Sequence, residues 1–227
     1  MIQTPPALVI FDCDGVLIDS EMIFARILGE CLAAADLPVT LEEALSLGFG
    51  RNALTLSAEV ESRYGRSLPE GFFPAMRRRT AAAFEKELRP VAGVVELLAG
   101  LPLPRCVASN SQLERVRHAL ALTGLLPFFE PHVYSASQVA RGKPAPDLFL
   151  HAAQSLGAPP GAALVVEDSA GGVEAARAAG MAVVGFCGGS HCRPGHAERL
   201  AEAGCSLVFA RMADLATFLG VAPKGGG

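Results

Sequence analysis

No apolar stretch in this 227-residue sequence reaches membrane-span length without a charge or a proline. The run Ala7–Ile18 is broken by Asp12 and Asp14, and Val91–Leu103 by Glu96 and Pro102. No membrane partner is therefore expected. Met1–Pro6 has no basic region followed by an apolar one, so no secretion signal is expected. A basic face is also missing. The net charge is −4, which argues against a nucleic-acid partner. The sole basic cluster is Arg77–Arg79, which reads either as the solvated face of a helix or as a feeler for an anionic substrate. None of the six cysteines forms a Cys-x-x-Cys pair, so no disulfide framework is expected and a reducing cytoplasm is the expected location. Cys187, His191 and Cys192 are close in sequence, but their spacing matches no standard structural zinc site. There is no internal repeat.

What is present is a core-forming composition, 51% hydrophobic, in a chain long enough for one large domain with an insert. Ala7–Phe11 reads as a short buried strand ending in Asp12-Cys13-Asp14-Gly15. From Ser20 to Leu88 the pattern is helical throughout. Asp19 or Ser20 is placed to cap a first helix, and Thr40-Leu41-Glu42-Glu43 is a capping box for a second. A third helix is expected over Asn52–Tyr64, and Ser67–Glu70 is placed to open a fourth. After Pro90 helices and strands alternate. Strands are expected at Arg105–Ser109, Val133–Ser135, Ala163–Val166, Ala182–Phe186 and Ser206–Phe209. Alternation of this kind implies an α/β fold, a Rossmann-like parallel sheet with helices on both faces. The expected division is a core domain of residues 1–17 and 90–227 carrying an inserted α-helical cap domain over 18–89.

In such a sheet, sites lie beyond the carboxyl ends of the strands. Read in order, those ends deliver Asp12 and Asp14, then Ser109-Asn110-Ser111, then Lys143, then Glu167-Asp168-Ser169. Phosphoryl transfer needs this mixture. The ester is anionic and repels an anionic nucleophile, so a divalent cation on oxygen ligands is required, and Asp12 and Asp168 are suitable ligands. An aspartate can attack phosphorus directly, a second acid can protonate the leaving oxygen, and a lysine can neutralise the transferring group. Adjacent acids such as Glu167 and Asp168 are unfavourable at a strand end without a cation.

Four segments together resemble the ordered motifs of the haloacid dehalogenase superfamily. Phe11-Asp12-Cys13-Asp14-Gly15-Val16-Leu17 is similar to the first, and Val107–Ser111 to the second. Lys143-Pro144-Ala145-Pro146-Asp147 leading to Phe149 is similar to the third, and Val166–Ser169 with Gly171-Gly172 to the fourth. The resemblance implies Asp12 as nucleophile, Asp14 as acid/base, and Ser109 and Lys143 as the phosphate-stabilising pair. It implies Mg2+ on the Asp12 side chain, the Asp14 backbone carbonyl and Asp168, with Glu167 helping directly or through water. The branch with a helical insert after the first motif contains β-phosphoglucomutase, phosphoglycolate phosphatase and sugar-phosphate phosphatases. Gly48-Phe49-Gly50-Arg51 resembles its cap loop, which offers an arginine to substrate. Asn110, Arg51 and Ser20 are accordingly candidate substrate-binding residues. Mutases of the branch carry a histidine where this chain has Phe24, which argues for a phosphatase acting on a small phosphorylated metabolite, a sugar or sugar-acid phosphate such as 6-phosphogluconate. A phosphomutase and a non-enzymatic phosphate-ligand binding protein are the alternatives. Members of the branch imply a monomer or weak homodimer.

Overall fold

The computed structural model describes residues 5–49 and 53–221. Strand β1 spans Leu8–Phe11, β2 Arg105–Ser109, β3 Val133–Ser135, β4 Ala163–Glu167, β5 Ala182–Phe186 and β6 Val208–Phe209. All neighbours pair in parallel, in the order β3-β2-β1-β4-β5-β6, so β1 is interior with β2 and β4 on its two sides. Side chains alternate across each strand. Val9 and Phe11 of β1, Val107 of β2, Leu164 and Val166 of β4 and Val184 of β5 face one apolar layer. Leu8 and Ile10, Cys106 and Ala108, Val165 and Val183 face the other. The first layer is completed by α5 (Val94–Gly100), α6 (Leu113–Leu122) and α10 (Met212–Phe218), the second by α7 (Asp147–Ser155), α8 (Ala170–Ala178) and α9 (His196–Ala203). Each Leu or Phe fully buried in these layers contributes roughly 1.5–3 kcal/mol, and that is what fixes the register.

Among the described residues, four helices come between β1 and α5: α1 (Glu21–Ala33), α2 (Leu41–Gly48), α3 (Ala53–Tyr64) and α4 (Phe72–Glu87). They pack on their own apolar cluster, which includes Leu28, Leu32, Leu47, Leu56, Val60, Phe72 and Met76. The chain leaves the sheet through residues 17–19 and returns through 89–91. These two crossings bind each other, with the Asp19 N–H on the Arg89 carbonyl (3.0 Å) and the Val91 N–H on the Leu17 carbonyl (3.0 Å).

The Thr40–Glu43 capping box forms as expected, each side chain bonding the other's backbone N–H. Strand β4 runs one residue further and β6 starts two residues later than expected, and three further differences have a visible cause. Helix α4 starts at Phe72, because the Phe72 N–H first closes a turn onto the Pro69 carbonyl (3.1 Å). Helix α8, whose apolar pattern predicts a helix over Gly172–Ala179, starts at Ala170 because the Ser169 hydroxyl accepts the Gly172 N–H (3.1 Å) and acts as cap. At α1, neither Asp19 nor Ser20 caps the helix. Both side chains are drawn to tertiary partners instead, Asp19 to Ser190 and Ser20 to Asp14.

Candidate active site

The site sits at the carboxyl ends of β1, β2 and β4. The Asp12 N–H bonds the Val166 carbonyl (3.0 Å), extending the β1–β4 pairing one residue past the strand. The chain then turns sharply, with the Leu17 and Ile18 N–H groups on the Cys13 carbonyl (2.9 and 3.1 Å). Gly15 in this turn has φ +82°, and a Cβ there would lie 1.9 Å from Asp168 Oδ2. Only glycine lets the first acidic turn approach the fourth acidic segment this closely.

Lys143 is the centre of one nest. Its Nζ donates to Asp12 Oδ1 and to Glu167 Oε1, each at 2.6 Å, and its side chain is 4% exposed. The ammonium lies 4.8 Å from the Phe149 ring centroid. Burial alone would lower the Lys143 pKa, but the Asp12 and Glu167 carboxylates outweigh it and hold the ammonium above its ordinary range. The backbone of Lys143 is clasped by Asn110, whose Oδ1 accepts the Lys143 N–H (2.8 Å) and whose Nδ2 donates to its carbonyl (3.0 Å). With both ends of its amide committed to this clasp, Asn110 positions Lys143 rather than reaching into the cleft.

Glu167 is almost fully buried and fully partnered. Besides Lys143, it accepts from the Asp168 N–H (3.0 Å), the Ser169 N–H (3.0 Å) and the Ser169 hydroxyl (2.9 Å). A Cβ on Gly172 would collide with this carboxylate at 1.9 Å, which is why the start of α8 is bare. Its oxygens are therefore taken by donors, and it enters the cluster as the anion that anchors Lys143. Asp168 contrasts with it: Oδ2 is buried without an aligned hydrogen bond, with His191 Nε2 lying 3.1 Å away. Asp12, Glu167 and Asp168 each place a carboxylate oxygen within 4.8 Å of the others. Burial, followed by the Lys143 attraction and the repulsion of Glu167 and Asp168, leaves Asp12 well above the usual carboxylate range. Burial and then Glu167 push Asp168 up in the same way. Three buried carboxylates thus surround one ammonium, which bonds Asp12 and Glu167 and leaves Asp168 Oδ2 without an aligned hydrogen bond. This is the donor set of a hard divalent cation, and the cluster could bind one.

A second nest surrounds Asp14. Arg115 grips its carboxylate in a two-point fork, Nη1 to Oδ2 at 2.8 Å and Nη2 to Oδ1 at 2.9 Å. The Ser20 hydroxyl donates to Oδ1 (2.6 Å) and the Ser111 hydroxyl to Oδ2 (3.1 Å). Burial raises the Asp14 pKa, but Arg115 and then the two hydroxyls overcome it and hold the carboxyl below its ordinary value. Ser20 is thus buried against Asp14 and not presented to a ligand. Arg115 also lies 5.1 Å from the ring centroid of Phe84 on α4. Ser109 is buried at the end of β2, where its Oγ accepts the Ser111 N–H (3.1 Å) and keeps its own proton for another partner. Arg51 lies outside the described residues.

Arg115 and Glu21 were not singled out by sequence reasoning. Arg115 stands four residues after Ser111, one helical turn on, and its Nη1 bonds the Ser111 hydroxyl (2.7 Å). That spacing was the available signal. Glu21 opens α1 partly exposed, and burial together with Asp14, Asp168 and Asp12 pushes its carboxyl well up, with Arg115 opposing.

Residues 6–180 match the family model of haloacid dehalogenase-like hydrolases. Among curated proteins, 6-phosphogluconate phosphatase of Escherichia coli K12 is 29% identical over 82% of this chain and 85% of its own length. Hexitol phosphatase A of the same organism is 33% identical over 77% and 80%. Among solved structures, a conserved haloacid dehalogenase-like protein of unknown function from Agrobacterium tumefaciens superposes with a TM-score of 0.85 at 40% identity, covering 94% of this chain and 97% of that one.

Proposed function

This chain belongs to the haloacid dehalogenase-like hydrolases, and from that premise we propose that it hydrolyses a sugar or sugar-acid phosphate with Mg2+, through an aspartyl-phosphate on Asp12. It is a phosphatase, the activity named for its relatives at 29% and 33% identity. The relatives' substrates, 6-phosphogluconate and hexitol phosphates by name, point to a small polyhydroxylated phosphate ester, with 6-phosphogluconate as the first compound to try.

The observation that carries the reading is the Lys143 bridge between Asp12 and Glu167 beside the unpartnered Asp168. An ester phosphate entering here meets a carboxylate whose charge is held in place by a fixed ammonium. Asp12 attacks phosphorus and the bond to the ester oxygen breaks. Asp14 gives that leaving oxygen a proton, then takes one from the water that cleaves the aspartyl-phosphate. In its present fork with Arg115, Asp14 is in the base form, so it must leave the fork and take up a proton from solvent before it can give one to the leaving oxygen. Ser109 and Lys143 hold the transferring oxygens. The ion would be held by Asp12, Asp168 and the Asp14 carbonyl, with Glu167 acting behind Lys143. When bound, Mg2+ supplies the positive charge that offsets repulsion between nucleophile and ester. Residues 18–89 form the cap over the core of 1–17 and 90–227. Closure of the cap would exclude bulk water.

The test is phosphate release from a panel including 6-phosphogluconate, phosphoglycolate and β-glucose 1-phosphate, with Mg2+ or EDTA, beside an Asp12→Asn control. Mg2+-dependent release that the control lacks supports the proposal. Conversion of glucose 1-phosphate to its isomer without release makes the chain a mutase. Release that survives Asp12→Asn refutes the aspartyl-phosphate route.

A further inference from the structure

The segment after β5 folds back over the acidic turn. Its Ser190 N–H and hydroxyl donate to Asp19 Oδ1 (3.0 and 2.8 Å), and Arg193 pairs with Glu42 of α2 (3.0 Å), so it is tied both to the crossing where the chain leaves the sheet and to the helical block. The fold then does something that sequence spacing does not announce. It brings His196, at the start of α9, back beside His191 and Cys192, while Cys187 stays out of the group. One ligand atom each from His191, Cys192 and His196 lies within 4.8 Å of the others.

The details of the cluster are those of a metal site rather than of a packed core. His191 and His196 are buried, yet His191 Nδ1 has no partner. His191 Nε2 lies 3.5 Å from Cys192 Sγ and 3.1 Å from the orphaned Asp168 Oδ2. Two ligands on a tetrahedral ion, at ~2.0 Å for nitrogen and ~2.3 Å for sulfur, stand about 3.5 Å apart, so the His191–Cys192 spacing is already that of a tetrahedron's edge. His196 gives its Nε2–H to the Asp168 carbonyl (2.7 Å), the orienting bond that ligating histidines make with their non-ligating nitrogen. Nδ1 is then the lone-pair nitrogen, with Arg199 Nη2 3.4 Å away as a neighbour the ion must displace. Phe49 covers both rings, at 5.1 Å from His191 and 5.8 Å from His196 between centroids, and shields the cluster from water.

We propose that His191, Cys192 and His196 form a second metal site, separate from the carboxylate cluster and selective for a borderline-soft divalent ion such as Zn2+. Asp168 Oδ2 borders its fourth position. The two sites divide by chemistry. Oxygen donors around Asp12 suit Mg2+, and a thiol with two imidazoles suits Zn2+ or Co2+. Binding takes the Cys192 thiol to the thiolate and releases one proton. The argument rests on the donors themselves and is independent of the phosphatase reading.

The test is a spectroscopic titration of the full-length protein with Co2+ in a buffer containing excess Mg2+, which competes for sites made of oxygen alone. One equivalent is expected, with a thiolate-to-cobalt charge-transfer band and tetrahedral ligand-field bands that Zn2+ bleaches. The charge-transfer band is expected to vanish in Cys192→Ser and in Cys192→Ala. Affinity is expected to fall at least tenfold in His196→Asn, and to be unchanged in Cys187→Ser and Asp12→Asn. Far-UV spectra establish that each variant is folded. A titration with no charge-transfer band overturns the proposal. So does a band that survives both Cys192 variants or disappears with Cys187→Ser.

Discussion

Asp12 and Asp14 stand two residues apart on one turn, and their surroundings are electrostatic opposites. Asp12 shares one buried ammonium with Glu167 and lies beside Asp168, and its carboxyl is pushed well up. Asp14 has a guanidinium to itself and two hydroxyls besides, and its carboxyl is held down. The first nest is short of positive charge, and the second is complete without help from any ion. Under the proposed function the contrast separates the roles: the under-neutralised aspartate would receive the cation and the phosphoryl group, and the fully partnered one would move a proton.

The comparison is tested most severely at Asp12. Asp12→Asn is expected to lower phosphate release by roughly 10⁴-fold or more, since the nucleophile is lost. It is not expected to lower the melting temperature in Mg2+-free buffer, because it removes one of three crowded negative charges. A large loss of stability would mean that the Asp12 nest is already balanced.

Lys143→Met removes the one cation bridging that nest. About 3 kcal/mol of stability is expected to go, since breaking a buried ion pair strands its partners. Activity should fall with it, by ~10³-fold. Chemical denaturation and the phosphate-release assay read the two effects separately.

Mg2+ at about 100 times its dissociation constant is expected to stabilise the protein by about 2.7 kcal/mol, seen as a rise in melting temperature that EDTA reverses. Asp168→Asn should abolish most of that rise, whereas Arg115→Met should leave it intact. If Arg115→Met abolishes it, the two nests are not separate.

Arg115→Met strands the Asp14 carboxylate and should cost about 2 kcal/mol, the lower end for a pair that keeps some exposure. Arg115→Lys should restore part of this, less than fully because one ammonium cannot reproduce the two-point fork.

The smallest effect is expected far from both nests. Glu43 is exposed, and its bonds to the Thr40 backbone and side chain hold its pKa below the ordinary value. A depressed carboxyl contributes stability that is present above its unfolded pKa and is lost as pH falls through the folded one. Thermal melts of Glu43→Gln and the parent should therefore differ slightly at neutral pH and converge in acid.

Much of this could be read in advance because it is local. The strands at 105–109, 133–135 and 182–186 end where their apolar runs end, and the Thr40–Glu43 cap is closed by residues three apart. The ordered acids and Lys143 sit where strands meet loops, so their convergence followed once a parallel sheet was inferred. Ser20 and Asn110 were legible as polar residues at the right place but not in their roles. Each has a tertiary partner, Asp14 across the turn for Ser20 and the Lys143 backbone 33 residues away for Asn110, that helix and strand periodicity cannot supply.

The sequence by itself thus determined the alternation of elements, the residue types at the strand ends and the family they imply, because periodicity, capping and motif order act over a few residues. Only the tertiary structure decided which acid receives the lysine and which the arginine. It also decided that Asp168 keeps an unpartnered oxygen and that His196 joins His191 and Cys192. Apart from the His196 cluster, whose members lie within six residues of chain, those outcomes depend on buried distances between segments far apart in sequence, where desolvation makes each unpaired charge costly and so makes the choice of partner decisive.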